Sequence, residues 1–292
     1  MAARKDKVIE AGGRKFDTRV EIYTSAEEVA NDCKNRPIRI ADYNITRHSF
    51  KRKWEGVETY DEALGLLKDG YQPVVEQFKE ELKVAPKEGA RISFNNNIQG
   101  FAPVVPLALK CVPNCMIDMR MKPIKAKVID VYYDMVVNAG TSPESIIKAG
   151  KAVLGTIIEL EKSGYRFNLY AVQSYHGTNN GKRCVDFLCV KVKSSDRPLD
   201  LKRISFPLTH PAFFRVIGFD WQSKSPITRD LGWGRGSAMA LEYSRSTIKE
   251  LTAQVFGDTS CYVSCSSFIN DGYDKNNLKE VFTNVGNKAV RK

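Results

Sequence analysis

Residues 124 to 134, IKAKVIDVYYD, constrain the fold more than any other stretch. An apolar, β-rich run ends there on Asp134 and gives way to a polar turn, a long amphipathic segment and a second β-rich run. Ser142 or Thr141 can cap the helix, Pro143 suits its first turn, and IIKAGKAVLGTIIELEKS presents one broad apolar face until Gly164 ends it. Strand, crossover helix and strand predict a parallel sheet with a ligand-prone crevice at the strand ends. After the strand YRFNLYAVQSY, the turn HGTNNGKR leads into CVDFLCVKVKS. Asn179, Asn180 and Gly181 are hairpin-turn residues, so these two strands are predicted to be antiparallel, with the second at the sheet edge.

Around this unit the chain reads as helices and turns. Ser25 with Glu28, and Thr59 with Glu62, have the spacing of capping boxes, the second opening a helix that Gly70 stops. Pro73 suits the first turn of the helix PVVEQFKEEL. Residues 1 to 24 read as a mobile start followed by a short strand. The apolar stretch 98 to 123, broken by Pro103, Pro106, Pro113 and Pro123, reads as an irregular segment packed on the core. Further on, RPLDLKRISF and HPAFFRVIGFDW read as two helices, SCYVSCSSFI as a strand ending at Asn270, and DKNNLKEVFTNVGNKAV as a closing helix.

Composition limits the function classes. With 42% hydrophobic residues in 292, the chain can bury a sizeable core. It contains no run of eighteen apolar residues, and MAARKDKVIEAGGRK lacks the apolar stretch of a signal peptide, so the expectation is no membrane partner and a cytoplasmic location. The seven cysteines, an odd number lying largely in apolar runs, read as reduced and mostly buried. The net charge of +11 favours an acidic partner. Its densest cluster, RHSFKRKW, offers Arg47, Lys51, Arg52 and Lys53 to phosphates and Trp54 for stacking on a base, so nucleic-acid binding is one expected function. Trp54 ahead of a helix also reads as a packing anchor.

Three polar segments fall where a doubly wound sheet presents its loops: Asp134 to Ser142, Gly232 to Ser237, and Asn270-Asp271-Gly272. With them the chain resembles a von Willebrand factor A-type domain, in which an Asp-x-Ser-x-Ser strand end, a loop Thr and a late Asp-Gly build a metal-ion-dependent adhesion site for Mg²⁺. The resemblance places Asp134 on the leading Asp, Asn138 on the second Ser, Ser237 on the Thr and Asp271 on the late Asp, while Val136 stands where the first Ser should be and supplies no oxygen. It implies an α/β fold over residues 122–292, a doubly wound, mostly parallel sheet with one antiparallel edge strand, preceded by a basic, mainly helical region over 1–121. The segment WEGVETYDEAL at 54 to 64 also resembles proteins encoded by tailed phages and prophages.

These readings lead to a non-enzymatic binding or scaffold protein that uses the strand-end loops to hold a protein partner. If the resemblances hold, that partner is a phage or host protein, an ATPase among the candidates. The alternatives are the nucleic-acid reading and a divalent-metal-dependent hydrolase at Asp134 and Asp271, which lacks an acid or base in the sequence. The spacings of Cys111 with Cys115 and of Cys261 with Cys265 do not match common zinc motifs, and His48, His176 and His210 lack a nucleophile nearby in sequence.

Overall fold

The computed structural model describes residues 3–35, 52–82, 90–123, 127–179, 181–224, 245–270, 272 and 274–289. The chain opens with the antiparallel strands β1 (Ala3–Ala11) and β2 (Arg14–Tyr23). Their turn is Gly12-Gly13, with φ of +57° and +69°. A two-residue hairpin turn with both φ positive matches the twist of the strands, and glycine adopts it at least cost.

Helices α1 (Ala26–Asn35), α2 (Arg52–Glu55), α3 (Tyr60–Asp69) and α4 (Gln72–Leu82) follow. The capping boxes form as their spacing predicts. Ser25 Oγ accepts from the Glu28 amide at 3.2 Å and Thr59 Oγ1 from the Glu62 amide at 3.1 Å. Gly70 ends α3 with φ +77°, its amide donating to Leu66 O.

A separate three-stranded sheet comes next: β3 (Ala90–Asn97), β4 (Ala102–Pro103) and β5 (Met116–Pro123), in the order β3-β5-β4, with the short helix α5 (Val105–Ala108) between its last two strands. This corrects the expectation of an irregular segment packed on the core. The prolines interrupt the strand pattern, and seven of the large apolar residues between Phe94 and Met119 are exposed, so neither periodicity nor burial follows the usual rule.

The βαβ unit forms where it was expected: β6 (Lys127–Asp134), α6 (Pro143–Lys162) and β7 (Tyr165–Asn179), followed by the hairpin strand β8 (Lys182–Lys193). Ser142 caps α6, accepting from the Ser145 amide at 3.2 Å. Then come α7 (Leu201–Thr209), a π-helical turn Phe213–Gly218, α8 (Phe219–Lys224), α9 (Arg245–Phe256), β9 (Ser260–Ser264), α10 (Cys265–Asn270) and α11 (Lys275–Ala289). The strand expected to run to Asn270 stops at Ser264 and turns helical.

The main sheet has the order β1-β2-β8-β7-β6-β9. It is mixed, with three of its five pairings parallel: β7, β6 and β9 are parallel, β8 is antiparallel to β7, β2 is parallel to β8, and β1 at the edge is antiparallel to β2. β8 is therefore interior, not an edge, because the N-terminal hairpin docks on its far side. That hairpin replaces the expected mobile start, and it joins the same sheet as β6 to β9, across the division drawn at residue 121. β1 buries only Ile9 and Ala11, which left little alternation in the sequence to mark it.

Alternation along the strands gives each sheet face its own core. Val131, Tyr133, Leu169, Ala171, Leu188 and Val190 pack under α1, α3, α4, α6, α7 and α11. On the opposite face Phe16, Val20, Tyr132, Val172, Val185, Phe187 and Cys189 meet α9 through Ile248 and Leu251.

Candidate functional site

Parallel pairing carries Asp134, the last residue of β6, between Val172 of β7 and Ser264 of β9. Its side chain is 2% exposed. Oδ1 accepts from the Val136 amide at 3.0 Å and the Ser174 amide at 3.4 Å, and Oδ2 accepts from the hydroxyls of Ser174 and Tyr262. Burial pushes the Asp134 carboxyl above the usual carboxylate range, opposed by the four hydrogen bonds. The carboxylate thereby ties β6 to β7 and β9.

Of the other members of the expected metal set, only Asn138 lies within the described residues. Met135, Val136 and Val137 are buried, and Asn138 is exposed, its carbonyl accepting from the Thr141 amide at 3.0 Å. Ser237 and Asp271 lie outside the described residues. Both oxygens of Asp134 already accept two hydrogen bonds each. Among the described residues no group of three or more His, Cys, Asp or Glu could hold a metal ion.

The loop after β6 is held from above by two residues far away in sequence. Trp54 Nε1 donates to Ala139 O at 2.6 Å. Arg215, 1% exposed in the π-helical turn, donates through Nη2 to Thr141 O at 2.6 Å and through Nη1 to Trp54 O, with its guanidinium carbon 4.4 Å from the Trp54 ring centroid. Trp54 also lies 6.0 Å from the Phe219 ring. Its indole is thus engaged inside the protein as an anchor. Of the basic residues expected beside it, Arg47 and Lys51 lie outside the described residues, as do the side chains of Arg52 and Lys53.

A second polar centre, which the sequence reading missed, lies on the helix-covered face of β2 and β8. Arg19, Glu21 and Asp186 are each at most 3% exposed. Arg19 pairs with Glu21, and its Nε is 4.0 Å from Asp186 Oδ1. Glu21 Oε2 accepts from Tyr23 OH at 3.0 Å and Trp221 Nε1 at 2.9 Å. The signal available was the alternation of Arg19, Glu21 and Tyr23 in β2, which points all three to one face. The Trp221 hydrogen bond to this buried carboxylate fixes α8 against the sheet. Burial raises the Cys261 and Cys265 thiols to about 12, which removes their thiolate character near neutral pH.

The arm formed by β3, β4, α5 and β5 differs from all of this. Phe94, Ile98, Phe101, Val105, Leu109, Val112 and Met119 are exposed, Leu109 by 81%, and they account for seven of the ten exposed large hydrophobic residues on the described surface. The Phe94 and Phe101 ring centroids are 6.5 Å apart. Isolated exposed apolar residues are ordinary; here they are concentrated on one small module. No helix among the described residues is long and apolar enough to cross a membrane.

No curated protein and no solved structure matches the chain. A family model described as a domain of unknown function (DUF7192) matches residues 7–275. This overturns the resemblance to von Willebrand A-type domains: no A-type family is found, and the match takes in the N-terminal region that the resemblance left outside. Because the match covers most of its length, the chain belongs to the DUF7192 family.

Proposed function

We propose that the chain is a non-enzymatic binding protein whose α/β body presents the three-stranded arm, residues 90–123, to a protein partner. The observation that carries this reading is the concentration of exposed large apolar residues between Phe94 and Met119. The strand-end loop after β6 is a poorer contact surface, since Met135, Val136 and Val137 are buried and Trp54 and Arg215 hold its far side. The run from Ile92 to Leu109 carries the amides of Asn95, Asn96, Asn97 and Gln99 and no charged residue, a composition suited to a protein surface. The test replaces 90–123 with a short Gly-Ser linker and, separately, introduces Phe94→Ser with Leu109→Ser. Proximity cross-linking in the native cell should lose the same partner in both variants, while circular dichroism of the body stays unchanged. A partner retained by both removes the arm from the interaction.

A second reading is favoured by the net charge of +11: association with nucleic acid through Arg47, Lys51, Arg52 and Lys53. Retention on DNA or RNA that weakens steeply with salt, and disappears on charge reversal at these four positions, supports it. No retention at low salt excludes it.

A further inference from the structure

Gln173 stands in the middle of β7, on the face that presents Leu169, Ala171 and Tyr175 to the helical layer. It is fully buried, where a side-chain amide is stable only with its polar atoms bonded. Nε2 donates to Phe213 O at 3.0 Å, and Oε1 accepts from Tyr175 OH at 2.6 Å. Phe213 is the first residue of the π-helical turn and Gly218 the last. A Cβ at Gly218 would lie 1.5 Å from Gln173 Oε1 and 2.3 Å from its Cδ. The amide of Gln173 therefore reaches both ends of the turn, bonding the leading carbonyl and taking the space that any side chain at 218 would need.

That turn is wider than an α-helical one, and such turns are rare and occur mostly as single insertions in helices. Its width decides where Arg215, its one charged residue, points. Neighbouring residues of a helix are about 100° apart around the axis, so a shift of one residue toward α register would swing the guanidinium off its partners. Those partners are the Trp54 ring and the carbonyls of Trp54 and Thr141, and Trp54 itself donates to Ala139 O. The loop has little else to hold it there. Asn138, Ala139 and Gly140 are exposed, and among the described residues the loop's own backbone bond in this stretch runs from the Thr141 amide to Asn138 O. A chain of contacts that begins at Gln173, inside the sheet, thus ends on the outer loop.

We infer that Gln173 fixes the π register of residues 213–218 and, through Arg215, latches the loop of residues 135–142 at the carboxyl end of β6. Gln173 is a positioning residue, and the loop is a strap that opens, with the body still folded, when the latch is released. The arm plays no part in it. Hydrogen exchange on the full-length chain, followed by mass spectrometry, reads the strap directly. Gln173→Met keeps much of the volume and removes the amide. Peptides covering 135–142 should then exchange about tenfold faster, the effect of one lost buried hydrogen bond, while β7 and β8 keep their protection. Gly218→Ala, which pushes on the same amide, and Arg215→Lys, which loses the forked contact, should do likewise. The double variant Gln173→Met with Arg215→Lys should exchange no faster than Arg215→Lys alone, because both changes act through one guanidinium. A residue that merely filled space would add its own effect. Unchanged exchange at 135–142 in Gln173→Met or in Arg215→Lys overturns the inference, as does an additive double variant. Protection lost across β7 and β8 in both Gln173→Met and Gly218→Ala overturns it too and makes Gln173 a packing residue of the core.

Discussion

The guanidinium carbon of Arg215 lies 4.4 Å from the ring centroid of Trp54, and the same side chain donates to the backbone carbonyls of Trp54 and Thr141. One buried cation therefore connects the π-helical turn, α2 and the loop after β6. Arg215→Met keeps much of the volume but leaves two part-buried carbonyls without their donor. The expected loss is about 2–4 kcal/mol, two part-buried acceptors left without a donor at about 1–2 kcal/mol each. Urea midpoints measure it. A loss below about 1 kcal/mol, the size of a surface substitution, would mean that the loop is held by its own packing.

His210 predicts an acid-sensitive fold. Burial lowers its pKa from 6.5 to about 4, with Glu62 acting weakly the other way. Its neutral Nδ1 accepts from the Ala212 amide at 3.2 Å. The unfolded chain takes up the proton first, so stability is full above pH 6.5 and declines as pH falls toward 4, by roughly 3 kcal/mol if the whole shift is expressed. His210→Gln should lack this decline, and stability curves from neutral pH to below pH 5 compare the two. Parallel curves would count against it.

Asp134 predicts the opposite slope. Its folded-state pKa is raised, so the stability linked to this group is present at low pH and is lost as pH rises through the raised value. Asp134→Asn has no charge to bury at any pH and should gain on the wild type as pH rises from acid to neutral. The check is the difference between their urea midpoints across that range; a wild type that gains on the variant would show that the four hydrogen bonds outweigh desolvation.

Two glycines should respond in opposite directions to the same change. A Cβ at Gly150 in α6 would lie 2.2 Å from Leu208 O and 2.7 Å from Thr209 Cα, both backbone atoms of α7. Gly150→Ala should destabilise by about 3 kcal/mol, at the upper end for overpacking, because backbone cannot rotate away. Gly65, inside α3, has nothing within 4 Å of an added Cβ, so Gly65→Ala should stabilise by about 0.5–1 kcal/mol. Thermal melting of both variants decides this, and a tolerated Gly150→Ala would show that α6 and α7 can separate.

Legibility in the sequence followed the locality of the interactions. Thr59, Gly70 and Ser142 act within four residues of their partners, and the helix ends they mark form as their spacing implies. The βαβ unit was readable because its strands are buried on both faces and its helix carries a long apolar stripe. The pairing of β2 with β8 left no local trace, and β1 is mostly exposed, so the hairpin was invisible until its partner was seen. At the site, Asp134 stood out as a strand-end acid. Its partners Ser174 and Tyr262 lie 40 and 128 residues away, so its role as a tie between strands was not readable from neighbours in sequence. Sequence position also could not show that Trp54 packs beneath Arg215.

The parallel register that joins Phe16 to Arg183 and Tyr23 to Val190 sets an order of events during synthesis. At about 5–20 residues per second, the ribosome adds the intervening stretch of about 170 residues in roughly 10–30 s, and until then the hairpin has no place in the sheet. For that interval Phe16, Val20 and the outer edge of β2 are open to other nascent chains. The sheet's first strands in sequence are thus among the last to be locked.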